Sequence, residues 1–199
     1  MSKIKQSPKM PAEERRDQLL LSAWDLFLKQ GYRDTTTEQI ARRAGLTKGA
    51  LYHHFKCKED LLYGLIKRTT DERLERMREA LGQSKTPADM LEILISTDKA
   101  WVRHDSENHF DIWIQAMRVP KVRKLLNRQF DRYLDTFVAA MGSRFGSKSR
   151  RRELAVLIMS LFHGLQIRKT VYPACVNIPA QIRLFDKLVA EGITRNSDG

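Results

Sequence analysis

The chain has 199 residues, 42% of them hydrophobic and 30% charged, with 36 Lys and Arg against 24 Asp and Glu. That is the length of one domain, or of a small domain on a larger one, and it is too apolar for wholesale disorder. The formal charge of +12 points to a polyanionic partner, nucleic acid or an acidic membrane surface, and says nothing about fold.

No run is expected to reach the roughly 18 apolar residues that cross a bilayer. The opening MSKIKQSPKM has the charge of a signal peptide without its apolar centre. A cytoplasmic chain with no membrane partner is the expectation. Cys57 and Cys175 are too few for a disulfide framework and too far apart for a metal-binding CxxC, so reduced thiols are expected and neither metal nor cofactor.

Apolar residues recur at helical spacing nearly throughout, and no stretch alternates like a strand between hairpin signals. The pattern predicts an all-α protein of about nine helices. Behind a basic arm of residues 1–10, the first helix runs from Pro11 to Gln30 with Leu19, Leu20, Ala23, Leu26 and Phe27 on one face, and Gly31 stops it. Thr35-x-x-Glu38 and Thr36-x-x-Gln39 both fit a capping box for a short helix ending at Gly45. Thr47 caps another short helix to His54. There Leu51 and Phe55 face inward and Lys48, Gly49, Tyr52 and His53 outward.

A charged helix is expected from Glu59 to Leu81. Thr86 and Pro87 open the next, with Leu91, Leu94, Ile95, Trp101 and Val102 as its stripe. Asp105 and Ser106 begin a shorter one carrying Phe110, Trp113, Ile114 and Met117. Pro120 starts a long helix that Gly142 and Gly146 end. The segment Glu153–Tyr172 is apolar on more than one face, and Asn177–Glu191 closes the chain with Ile178, Ile182, Phe185 and Leu188.

Two short helices joined by AGLT, the second ending in YHHF, meet the demands of a helix-turn-helix, in which the outward face of the second helix enters the major groove. The string LLLSAWDLFLKQGYRDTTTEQIARRAGLTKGALYHHFKCKEDLL, Leu19 to Leu62, resembles the DNA-binding domain of TetR-family transcriptional regulators nearly position for position. The resemblance implies a three-helix reader over 11–58 and a helical ligand-binding and dimerisation domain over 59–195. It puts Thr36 or Thr37 on a phosphate and Thr47, Lys48, Gly49, Tyr52 and His53 on the recognition helix. Lys48 would reach a guanine edge or a phosphate, Tyr52 a phosphate or a thymine methyl, and His53 would add a donor. Lys58 would hold a further phosphate, and Arg42 and Arg43 are candidates on the backbone-crossing helix.

Cys57 stands where the family usually has a capping Ser. Its plain reading is a weaker helix start; the sharper one is a redox sensor, a thiol acidified by a helix N-terminus between Lys56 and Lys58.

For the remainder the resemblance implies a small-molecule pocket and a homodimer formed by the last two helices. The pocket candidates are Trp101, His104, Phe110, Trp113, Met117, Tyr133, Phe137, Phe162, His163 and Gln166, a set suited to a largely apolar or aromatic inducer. The dimer candidates are Leu154, Leu157, Ile158, Leu161, Leu165, Ile178, Ile182, Phe185 and Leu188. The expected function is repression from a palindromic double-stranded DNA operator, relieved by ligand. Two alternatives remain: a constitutive, ligand-free DNA-binding protein and a helical enzyme. Against the enzyme, no Gly-rich phosphate loop, HExxH or G-x-S-x-G occurs, and the His104–His109 spacing misses one helix face.

The charge is unevenly placed. Residues 1–60 hold 12 basic and 8 acidic side chains, whereas residues 118–152 hold 11 basic and 2 acidic.

Overall fold

In the computed structural model residues 11–97 and 107–194 are described, with the backbone alone for 107–110, 144, 175 and 192–194. The described residues form nine α-helices and no strand: α1 Ala12–Gln30, α2 Thr37–Arg43, α3 Lys48–His54, α4 Lys58–Leu81, α5 Pro87–Thr97, α6 Glu107–Arg118, α7 Pro120–Met141, α8 Lys148–Val171 and α9 Ile178–Thr194. The arm of residues 1–10 and the candidates Trp101 and His104 lie outside the described residues, as does the side chain of Phe110.

Helix ends follow side-chain chemistry. Gly31 ends α1 with its N–H on the Phe27 carbonyl, at a φ of 83° that suits glycine. Thr86 and Asp89 cap α5 reciprocally: the Thr86 hydroxyl accepts from Asp89 N and the Asp89 carboxylate from Thr86 N. α8 begins five residues before the expected Glu153, because Ser147 caps it by accepting from Arg150 N. Here the cap outweighs the polarity of the first turn.

Contacts divide the chain into two compact units. The first holds the described residues up to Arg68 together with Asn108–Arg123; the second holds those from Thr69 to Glu107 and from Lys124 onward. The expected boundary after residue 58 therefore falls too early. Leu61, Leu62, Leu65 and Ile66 of α4 are buried, and α4 passes so close to α1 at Gly64 that an added Cβ would lie 3.1 Å from Leu20 Cδ2. Residues 108–123 join this unit through Asp111, which accepts a long 3.4 Å bond from Tyr32 N, and through Lys121, which pairs with Asp60.

In the second unit α5 packs against α8 and α9. Phe137, Phe162, Ile158 and Met77 are at most 1% exposed in one apolar cluster. Each such side chain contributes about 1.5–3 kcal/mol of transfer free energy.

α8 is, by length and composition, one helix among the described residues that reaches the membrane-spanning range, contrary to expectation. Its inner face, Ala155, Ile158, Phe162 and Leu165, is part of the unit's core. An outer face of Val156, Leu157, Ile167 and Val171 is exposed. The high apolarity comes from having two apolar faces.

Candidate nucleic-acid interface

Thr36, rather than Thr35, caps α2. Its hydroxyl accepts from Gln39 N at 3.2 Å while Gln39 Oε1 accepts from Thr36 N at 2.7 Å. Thr35 is buried and donates to the Gly31 carbonyl, which ties down the α1–α2 loop. α2 then ends in a Schellman turn: Leu46 N donates to Ala41 O and Gly45 N to Arg42 O, with Gly45 at a φ of +65°. That turn sets the direction in which α3 leaves. Thr47 caps α3 by accepting from Ala50 N at 3.1 Å.

α3 buries Leu51, with Phe55 buried just beyond it, and leaves Lys48, Gly49, Tyr52 and His53 exposed. Tyr52 is 43% exposed, with its ring kept out of the core. Its hydroxyl shares a hydrogen bond with Thr37 Oγ1 at 3.2 Å, and its ring lies 5.9 Å from Lys48 Nζ. Lys48 also pairs with Glu38, whose carboxyl is held below its usual range chiefly by that bond. Nothing within 4 Å of Gly49 except the Thr47 hydroxyl would meet a side chain there, so the surface beside Lys48 is open. His53 touches His54 edge-on, and burial lowers the pKa of His54, which favours its neutral form. Arg43 is held by Asp25 of α1 at 2.6 Å, and Arg42 is exposed.

Lys58 and Cys57 sit in surroundings that the sequence did not announce. Lys58 donates all three ammonium hydrogens to backbone carbonyls, those of Tyr32 at 2.8 Å, Arg33 at 3.1 Å and Thr35 at 2.9 Å, with its Nζ 4.4 Å from the Tyr32 ring centroid. Lys58 is thus a clamp on the loop before α2, with its three donors directed at carbonyls. Burial, and then its bond to Glu59, pushes the Cys57 thiol up in pKa, the opposite of the acidification that a sensor calls for. The helix start that Cys57 caps poorly is secured by Asp60, which accepts from Lys56 N at 3.0 Å. The signal for this was in the sequence, as an acidic residue in the first turn.

The described ligand candidates lie in different surroundings. Tyr133, Phe137 and Phe162 belong to the core of the second unit, and Tyr133 OH donates to the Thr70 carbonyl at 2.9 Å. His163 is exposed and stacks edge-on against Phe130 and Phe162, and Gln166 is half-buried. Trp113, half-buried, and Met117, exposed, lie in the first unit. A surface cleft of about 460 Å³ in the second unit is lined by Arg78, Leu81, Gly82, Arg132, Asp135, Thr136, Ala139 and Ala140, none of which the sequence reading named.

The dimer candidates also separate. Ile158, Leu165 and Phe185 are buried within the protomer. Leu154, Leu161, Ile178 and Ile182 are half-buried against the core, whereas Leu157 and Leu188 are more than half exposed. Val156, Ile167, Val171, Tyr172 and Leu184 are further exposed apolar residues that helical periodicity alone did not assign to the outer face.

Much of the basic excess over residues 118–152 is internally paired. Lys121 meets Asp60, Arg132 meets Asp71, Arg152 meets Asp131 and Asp135, and Arg151 donates to the Val138 carbonyl. Arg118, Arg123, Lys124 and Arg128 are exposed.

Residues 19–64 match the family described as "Bacterial regulatory proteins, tetR family". The chain is 32% identical over 101 residues to the HTH-type transcriptional activator FasR of Mycolicibacterium smegmatis, which covers 51% of this chain and 46% of that protein. It is 34% identical over 98 residues to the HTH-type transcriptional repressor KstR2 of the same species, covering 49% and 47%. The chain thus spans about half the length of these curated relatives. Its fold is similar to that of FadR from Bacillus subtilis in complex with stearoyl-CoA, with a TM-score of 0.68, 20% identity and 87% and 96% of the two chains covered.

Proposed function

We propose that residues 19–64, which match the tetR family of bacterial regulatory proteins, are the DNA-binding domain of a transcriptional repressor that reads a palindromic operator and releases it on binding a small molecule. The exposed Tyr52 carries the reading. An aromatic ring kept out of the core, beside Lys48, His53 and the bare backbone of Gly49, fits a surface that enters the major groove. Thr37 and Thr47 flank that face and supply hydroxyls for phosphates.

A homodimer supplies the second half-site. The exposed apolar stripe of α8 and α9, Leu157, Ile167, Val171, Leu184 and Leu188, suits a two-fold interface, which would place two recognition helices about 34–36 Å apart on successive grooves. For the inducer, an apolar or aromatic molecule remains the favoured class. The stearoyl-CoA held by FadR makes an acyl-CoA the first compound to try. α4 carries residues of both compact units and is the element through which ligand would bias the reader. A coupling of about 1–3 kcal/mol lowers operator affinity roughly 5- to 150-fold.

The test is selection of binding sites from a randomised duplex pool by the purified full-length chain, followed by titration of the selected complex with acyl-CoAs and small aromatics. An enriched inverted repeat, released by one compound class, is the expected result. Failure to enrich any sequence contradicts the reading.

A further inference from the structure

Glu38 lies in the first turn of α2, and its carboxylate reaches Lys48 at the start of α3. Thr37 Oγ1 donates to Glu38 Oε2 at 3.3 Å and lies 3.2 Å from Tyr52 OH. Four side chains, Thr37, Glu38, Lys48 and Tyr52, therefore make one exposed polar cluster across the outer faces of the two short helices. An ion pair between solvent-exposed groups contributes little to folding. A carboxylate also repels the phosphates of any duplex that approaches. The place of Glu38 in the first turn of α2 suits the helix N-terminus, but that role needs no Lys48 partner, and bulk attraction to DNA does not explain the pairing.

Base-edge chemistry does. In the major groove a G·C pair presents guanine N7 and O6 as adjacent acceptors and cytosine N4 as a donor at the far side. An A·T pair instead places its donor, adenine N6, between two acceptors and ends in the thymine methyl, so a cation and a carboxylate spaced for the G·C edge meet it out of register. A cation and a carboxylate held side by side complement the first pattern.

We propose that Glu38 and Lys48 act as one reading unit for a G·C pair in each half-site, with Lys48 donating to guanine O6 or N7 and Glu38 accepting from cytosine N4. Glu38 then sets specificity at that position, and on mismatched DNA it weakens binding. This rests on the reading of α3 as the recognition helix.

The experiment uses the full-length wild type and the variants E38A and E38Q on the selected operator, on duplexes with each G·C replaced by A·T, and on random duplex. Wild type should lose about 5-fold or more in affinity at one G·C position per half-site. E38A should lose that discrimination at that position alone, to within about 2-fold, and should bind random duplex more tightly. E38Q keeps the shape and an acceptor; it should retain part of the discrimination, and it decides the matter should E38A melt early. Discrimination unchanged in both variants overturns the proposal. A wild type that selects no sequence instead overturns the reading beneath it.

Discussion

The aromatic residues of α3 and those of the second unit carry the same kind of sequence signal and meet opposite fates. Tyr52 is 43% exposed on a helix of only seven residues, whereas Phe162, on a helix of 24, is 1% exposed and Phe137 is fully buried. A short helix has one face to give to the core, and Leu51 takes it. What stands on the other face is left to solvent or to a partner. A long helix in a thick core buries aromatic rings on any side that another helix covers, so aromatic content there reports packing before it reports ligand.

The sharpest way to break that contrast is to truncate one residue from each region. Phe162→Ala should cost about 3–5 kcal/mol of stability, measured by urea unfolding. A much smaller loss would show that Phe162 lines a cavity. Next comes Lys58, whose three carbonyl bonds belong to structure and whose sequence position suggested DNA. Lys58→Met should lower stability by about 1–3 kcal/mol. Were Lys58 a phosphate contact, the melting temperature would stay and the salt dependence of DNA binding would flatten by about one unit of slope.

A smaller effect is expected at Asp60. Its bond to Lys121 holds the carboxyl below the usual range. Its stabilising contribution is therefore present above the unfolded pKa of about 3.9 and is lost as pH falls through the lower folded value. Asp60→Asn should flatten the acid limb of the stability profile between about pH 5 and 2, and an unchanged slope would mean the pair does not hold in solution. The smallest effect is expected at Cys57. Iodoacetamide should modify it at neutral pH more slowly than a free cysteine, and peroxide should leave DNA affinity as it was. Rapid labelling would restore the sensor reading.

The reader was legible because its elements are fixed by local chemistry. Thr36, Gln39, Gly45 and Thr47 act within a few residues of themselves, and a capping box or a left-handed turn leaves its mark in a short string. What stayed hidden depends on long-range packing. Lys58 donates to carbonyls 23 to 26 positions earlier in the chain. Residues 108–123 belong with the reader although 39 residues separate them from Arg68, and no local pattern announces that. On α8 periodicity identified the apolar positions without showing that Ile158 and Leu165 face the core while Leu157 faces outward. A helix with two apolar faces has no polar stripe to orient it.

The central claim, that the outward face of α3 reads DNA, is tested most directly by equilibrium binding of wild type and Tyr52→Ala to the selected operator and to random duplex at one salt concentration, with unfolding measured on the same samples. Tyr52→Ala should bind the operator at least about 5-fold more weakly and unfold within about 0.5 kcal/mol of wild type, as expected for an exposed side chain. Undiminished operator binding by a folded Tyr52→Ala would contradict the account.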